Sequence, residues 1–374
     1  MQLKISLKEL AQLFLKLGTI GFGGPAAHIA LMHKEVVQKK NWFTDQEFIK
    51  LVGATHLIPG PNSTELAIHI GHKLRGWKGL FTAGICFITP AVIITGCIAF
   101  FYKSYGHLPV IQPFIKGTFP AIITIIICAI FPMVKQTTRN NHLTLLGILI
   151  LIASLFKINE ILLIGGAACV GIIYSKINNK TLKKQSLLFI FSGSSKIKLG
   201  ITTLSSFKMA TLFLKIGAIL YGSGYVLFAF LEDELVKPGF LSEQQLIDAI
   251  TIGQFTPGPV FSAVTFIGYQ LKGIEGAIIS TCAIFLPSFL FVGLLKIILS
   301  KLEKSVTFSH LLDAVNTASL ALIISTCIEL SISNLQNWSS ILVSLVSLYL
   351  LTNYNKINSA FIILAAGITG YFIL

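Results

Sequence analysis

The stretch "HLIPGPNSTELAIHIGHKLRGWKG", residues 56–79, decides the fold. Pro59-Gly60-Pro61 interrupts an apolar run, with Glu65 and His69 close behind. A proline removes a backbone donor and clashes with the preceding turn, so a helix cannot run through this tripeptide. In hydrocarbon the freed backbone groups need partners, so such a break survives only inside protein or against a wet cavity. After the break come Asn62, Ser63 and Thr64, all capping residues, which predict that a helix restarts there. The unsatisfied N–H groups and dipole of a restarted helix favour an anion.

Working outward, the 374 residues are 54% hydrophobic and only 12% charged, with a mean hydropathy of +0.80. A soluble domain carries roughly 25% charged residues. Apolar runs of membrane-crossing length recur and are continuous, not alternating, so they predict helices and not barrel strands. The chain therefore reads as an all-α polytopic membrane protein. Its net charge of +14 fits lysine-rich cytoplasmic loops and attraction to anionic lipid. Between Lys176 and Lys208 there are seven lysines and no acid, and residues 179–205 read as a basic cytoplasmic linker. No aromatic residues alternate with these lysines, which argues against nucleic acid as a partner. The six cysteines all lie in apolar segments without C-x-x-C spacing and read as small hydrophobes. The N-terminus lacks the pattern of a cleaved signal peptide.

The chain is duplicated. Residues 14–18 (FLKLG) match 213–217 (FLKIG) at an offset of 199. Pro59-Gly60-Pro61 matches Pro257-Gly258-Pro259 at 198, and Gly71, Gly76, Gly79 and Pro90 match Gly268, Gly273, Gly276 and Pro287 at 197. Matches in one order over nearly both halves mark an internal repeat, residues 1–178 and 206–374. Each half has an apolar segment ending in a Gly-rich break, a polar connector, the Pro-Gly-Pro segment and four apolar stretches, the last two short enough to form a hairpin. The first connector, residues 32–50, has four lysines against three acids, whereas residues 231–248 have five acids against one lysine. Basic residues favour the cytoplasmic side, so the asymmetry points to inverted repeats.

Breaks at matching places in two halves are the sequence pointer to the central site of a transporter. The candidate substrate-binding groups are Gly23, Gly24 and Pro25, Pro59 to Thr64, Gly222 and Gly224, and Pro257, Gly258 and Pro259. Glycine permits close backbone approach to a ligand. The plainer reading is that these residues only kink helices or pack them together. Lys16 and Lys215 are repeat-equivalent and stand in apolar runs just before the Gly-rich breaks. They read as offsets to an anionic substrate, or alternatively as side chains snorkelling to a headgroup region. Glu65 and His69 lie one turn apart, and a carboxyl in apolar surroundings can carry a proton, as can an imidazole. They are the proton-coupling candidates; the alternative for Glu65 is a helix cap or an ion pair. His56 and its counterpart Gln254 precede the two breaks, while His28, His72, Asp313 and Glu329 are weaker candidates. Lys73, Arg75, Trp77 and Lys78 look like an interfacial anchor.

"FGGPAAHI" (22–29), "WFTDQEF" (42–48) and the opening stretch, followed by "GSGY" (222–225) and "FTPGPVFSAVTFIGYQLKG" (255–273), resemble the chromate ion transporter family over nearly the whole chain. The resemblance implies export of chromate across the bacterial plasma membrane, chromate resistance, and coupling to the membrane potential or the proton gradient. Sulfate is the close structural analogue. The family's motif positions fall on Gly23, Gly24, Pro25, Pro59, Gly60 and Pro61, and on Gly222, Gly224, Pro257, Gly258 and Pro259. The second copy departs at Ser223 and Gly224, where the first has Gly24 and Pro25, so the halves need not have equal roles.

The other classes find less support. There is no P-loop for ATP drive, no H-E-x-x-H, no G-x-S-x-G and no metal-spaced cysteine cluster. The expectation is a carrier without cofactor or metal, not an enzyme. A channel, or a carrier of another anion, stays open on the residues alone, and a homodimer is a candidate assembly.

Overall fold

The computed structural model describes residues 5–22, 24–105, 112–137, 140–156, 158–178, 204–220, 226–302, 305–353 and 359–373. The basic linker lies almost wholly outside them. The described residues form helices α1 (Leu7–Ile20), α2 (Gly24–His33), α3 (Asp45–Thr55), α4 (Ser63–Tyr105), α5 (Gln112–Thr137), α6 (Asn141–Leu155) and α7 (Glu160–Asn178). The second half repeats the order with α8 (Ser206–Ile219), α9 (Val226–Leu231), α10 (Glu243–Phe255), α11 (Ala263–Leu302), α12 (Val306–Asn334), α13 (Trp338–Asn353) and α14 (Ser359–Ile373). Local signals set the starts. Thr44 and Glu47 form a capping box at α3, and their repeat partners Ser242 and Gln245 form the same box at α10.

α4 and α11 are helical hairpins. α4 leaves helical geometry at Arg75 and Gly76, and α11 at Lys272 and Gly273. A straight helix would hold Gly71 and Gly79 about 12 Å apart. Here a Cβ added to Gly71 would lie 2.3 Å from the Gly79 carbonyl oxygen, so the arms fold back in contact. Gly268 and Gly276 make the same contact, at 2.3 Å. The first arm of α4, residues 63–74, is about 18 Å long and the returning arm about 43 Å. The hydrocarbon core is about 30 Å thick. The bend carries Lys73, Arg75, Trp77 and Lys78, as an interface requires. An 18 Å arm from there ends near the bilayer midplane, and that is where the Pro-Gly-Pro loop lies.

The halves are inverted. The returning arm of α4 packs on its own repeat partner in α11: Phe81 stacks on Phe289 at 5.6 Å, and Trp77 lies against Gly293. The numbers run in opposite directions, so these equivalent arms are antiparallel. The two-fold axis that relates them is perpendicular to them and lies in the membrane plane. α4, α11 and α12 each contain a span long and apolar enough to cross a membrane. α6 and α13 are shorter, about 22–24 Å. The halves also exchange neighbours: α5 packs on α13 and α14, and α12 on α6 and α7. Large apolar side chains such as Ile93, Phe131 and Leu290 face outward, as hydrocarbon surroundings require.

Candidate functional site

The two Pro-Gly-Pro loops cross into the opposite halves. The Gly60 N–H donates to the Leu220 carbonyl at 2.7 Å, and the Gly258 N–H to the Gly21 carbonyl at 2.7 Å. Leu220 and Gly21 are repeat-equivalent, and each is the residue that ends the first helix of its half. The break in each half is thus satisfied by the other. Both glycines have positive φ, 138° at Gly60 and 95° at Gly258, which other L residues rarely adopt. Neither has room for a side chain. A Cβ on Gly60 would lie 2.0 Å from Glu65 Oε1, and one on Gly258 would lie 2.9 Å from the Ala91 Cβ. Pro59 and Pro61, Pro257 and Pro259 are all buried.

His28, buried on α2, ties the first Gly-rich break to this centre. Its Nε2 lies 3.0 Å from the Gly21 carbonyl and its Nδ1 3.3 Å from Ser63 Oγ. Gly24 opens α2 with Pro25 in its first turn, where a missing N–H costs nothing. Gly23, Gly222 and Gly224 lie outside the described residues.

After Pro61 the chain turns at Asn62, and α4 starts at Ser63. The acceptor at this helix start is Glu65. Its fully buried carboxyl folds back over Gly60 and accepts from the backbone N–H groups of Asn62 and Glu65. Its Oε1 also accepts from Ser288 Oγ at 2.5 Å, while its Oε2 has no hydrogen-bond partner among the described residues. Thr64 Oγ1 is also buried without one. His69 turns elsewhere, bonding the Leu51 carbonyl. The structure gathers Asn62, Ser63 and Glu65 around the first loop and leaves His69 a turn further along α4, turned to Leu51 of α3.

The second helix start differs. A short 3-10 turn, Val260–Ser262, leads into α11, and Ser262 and Ala263 stand where the first half has Glu65. Ser262 Oγ and Gln254 Nε2 are buried and have no hydrogen-bond partner among the described residues.

Lys16 and Lys215 lie in equivalent ion pairs, Lys16 with Glu35 at 2.9 Å and Lys215 with Glu234 at 2.6 Å. Lys39 also meets Glu35 at 2.8 Å, and the Lys39 and Lys16 ammonium groups hold the Glu35 carboxyl below the usual carboxylate range. Each lysine is therefore matched by a glutamate 19 residues on in its own half. The charge assigned to a substrate from sequence is taken up, in this conformation, within the protein.

Ser288 and Asp248 are absent from the sequence-based candidates. Ser288 follows Pro287, whose match to Pro90 is the only sequence signal near it. Asp248, also buried, accepts from the Tyr102 hydroxyl and from Gln244 Nε2, and lines a cavity of about 510 Å³ with Thr251 and Phe255.

Inverted repeats with re-entrant hairpins, whose broken ends meet inside the protein, define a membrane transport protein. The comparisons agree. The model of the family described as chromate transporter matches twice, at residues 8–172 and 207–371, and the chain belongs to this family. It is 28% identical to the chromate transport protein of Cupriavidus metallidurans over 98% of this chain and 92% of that one. It is 30% identical to a probable chromate transport protein of Synechococcus elongatus, over 92% and 89% of the two chains. An uncharacterized transporter of Bacillus subtilis, 25% identical, spans 41% of this chain but 88% of its own length, close to one repeat. No solved structure matches the chain.

Proposed function

We propose that the protein is a secondary active carrier that exports chromate across the bacterial plasma membrane and so confers chromate resistance, with sulfate as a competing analogue. The observation that carries this reading is the reciprocal crossing of the Pro-Gly-Pro loops, each bonded to the opposite half. Each loop is held by the opposite half, so a rocking motion of one half against the other alters both loops together. The substrate would meet the backbone and small side chains at the breaks, with the N–H groups now donated within the protein freed as the loops move: Gly23, Gly24 and Pro25, Pro59 to Thr64, Gly222 and Gly224, and Pro257 to Pro259. Lys16 and Lys215 would contribute charge when their glutamate pairs open. Glu65 is the coupling group. It is a buried carboxyl with no ion pair among the described residues, and it borders the loop it must sense. His69, one turn along, is the next group on the proton's route.

The test is chromate accumulation in chromate-sensitive cells expressing the protein. Export lowers accumulation and raises tolerance; equal or greater accumulation than in empty cells contradicts the direction.

A further inference from the structure

The two helix starts beside the loops are repeat-equivalent but chemically unlike. Helix starts present backbone N–H groups that need acceptors. In the first half the acceptor is built in, since the Glu65 carboxyl takes the N–H groups of Asn62 and Glu65 and the Ser288 hydroxyl. The molecule thus shows that this kind of helix start takes a carboxylate-like group. In the second half no acid stands at the matching place, where the chain has Ser262 and Ala263. Ala91, the repeat partner of Ser288, puts a methyl group against Gly258. Two neutral donors are left over there: the Ser262 hydroxyl, fully buried, and the Gln254 amide, 7% exposed. They come from elements in contact, because a Cβ on Gly253 would meet the Ala263 Cβ at 2.8 Å. Buried donors without acceptors are costly, and none of the described residues satisfies these two, which leaves a place for an acceptor group such as a ligand oxygen.

We infer that the start of α11 is the seat of the transported oxyanion, with Ser262 and Gln254 donating to it, and that Glu65 fills the equivalent place in the first half. This rests on the transporter reading above. A tetrahedral oxyanion offers acceptor oxygens to neutral donors, the same chemistry that Glu65 offers at the first start. The acceptor place at a helix start is therefore open in one half only, although the fold is duplicated, and the first loop meets the anion from across the crossing.

The experiment is equilibrium binding of labelled sulfate to the purified full-length protein, with chromate as competitor. Ser262→Ala is expected to weaken binding about threefold to tenfold, the effect of one lost hydrogen bond. Gln254→Glu, near-isosteric, replaces a donor with a carboxyl and is expected to weaken it more than tenfold at alkaline pH. Ser319→Ala removes another buried hydroxyl without a partner among the described residues, on α12, and is expected to bind like the parent. Gel-filtration and melting profiles like the parent's confirm that the variants are folded. Parental affinity in both Ser262→Ala and Gln254→Glu, or an equal loss in Ser319→Ala, overturns the seat and leaves the transporter reading standing. Failure of the parent to bind either anion overturns both.

Discussion

Glu65 in the first half and Ser288 in the second are joined by a 2.5 Å hydrogen bond, so the acid beside the first Pro-Gly-Pro loop is held by the opposite repeat. A proton arriving at Glu65 changes a bond between the halves, which is the kind of link a coupled carrier needs. Glu65→Gln keeps the shape and removes the titration. Transport by this variant is expected to persist while losing its dependence on a pH gradient, measured in vesicles with the gradient imposed and collapsed. Unchanged dependence sinks the coupling role.

Ser288→Ala removes one donor from a buried carboxyl. The expected cost is about 1.5–3 kcal/mol, as for hydrogen bonds to charged groups. Detergent melting of the purified protein measures it, and a shifted pH profile of transport should accompany it. A melting point equal to the parent's with an unmoved profile contradicts the link.

The loop glycines should be the least tolerant positions. Gly60→Ala and Gly258→Ala each force a side chain onto a positive φ, a strain of about 1–3 kcal/mol, and into a filled space. Little folded protein is expected from either. Gly53→Ala, where nothing lies within 4 Å of the added Cβ, should stay within about 0.5 kcal/mol of the parent. Equal yields of all three would mean that the loops are not packed as described.

Lys16→Ala and Lys215→Ala separate two roles. Both ion pairs are substantially exposed, with lysine side chains 50% and 36% accessible, so each should contribute under about 1 kcal/mol to stability. Transport is expected to fall in both variants with membrane insertion intact. Lys215→Ala should fall further, because Glu35 keeps Lys39 whereas Glu234 has no second lysine in an ion pair among the described residues. Parental transport in both leaves these lysines with a structural role alone.

Much of the architecture was legible because a duplicated sequence marks its own repeat. The offset of 197–199 residues located both loops, and the capping residues after Pro61 located the restart of α4. The partners of the breaks were not legible. Gly60 bonds Leu220, and Ser288 lies 223 residues from Glu65, while helical periodicity speaks only of neighbours three or four positions apart. That same rule paired Glu65 with His69. The carboxyl instead turns back to the N–H groups at its own helix start, which lie closer than the next turn. Lys16 and Lys215 stood out as charges in apolar runs, but their glutamates sit 19 residues away across a break, beyond any local pattern.

The inversion has its own check. Lys78 and Glu275 are repeat-equivalent and exposed beside the two hairpin bends. With the native cysteines removed, Lys78→Cys and Glu275→Cys are expected to react with an impermeant thiol reagent from opposite sides of the membrane. Labelling from the same side would make the repeats parallel.

The most direct measurement is uptake of labelled chromate into sealed inside-out vesicles, with and without an imposed proton gradient and with sulfate as competitor. Saturable, gradient-stimulated uptake that sulfate inhibits, with the stimulation but not the basal uptake lost in insertion-competent Glu65→Gln protein, is the expected result. Uptake no greater than in vesicles without the protein, with insertion verified, would contradict the central claim that the crossed loops carry chromate outward.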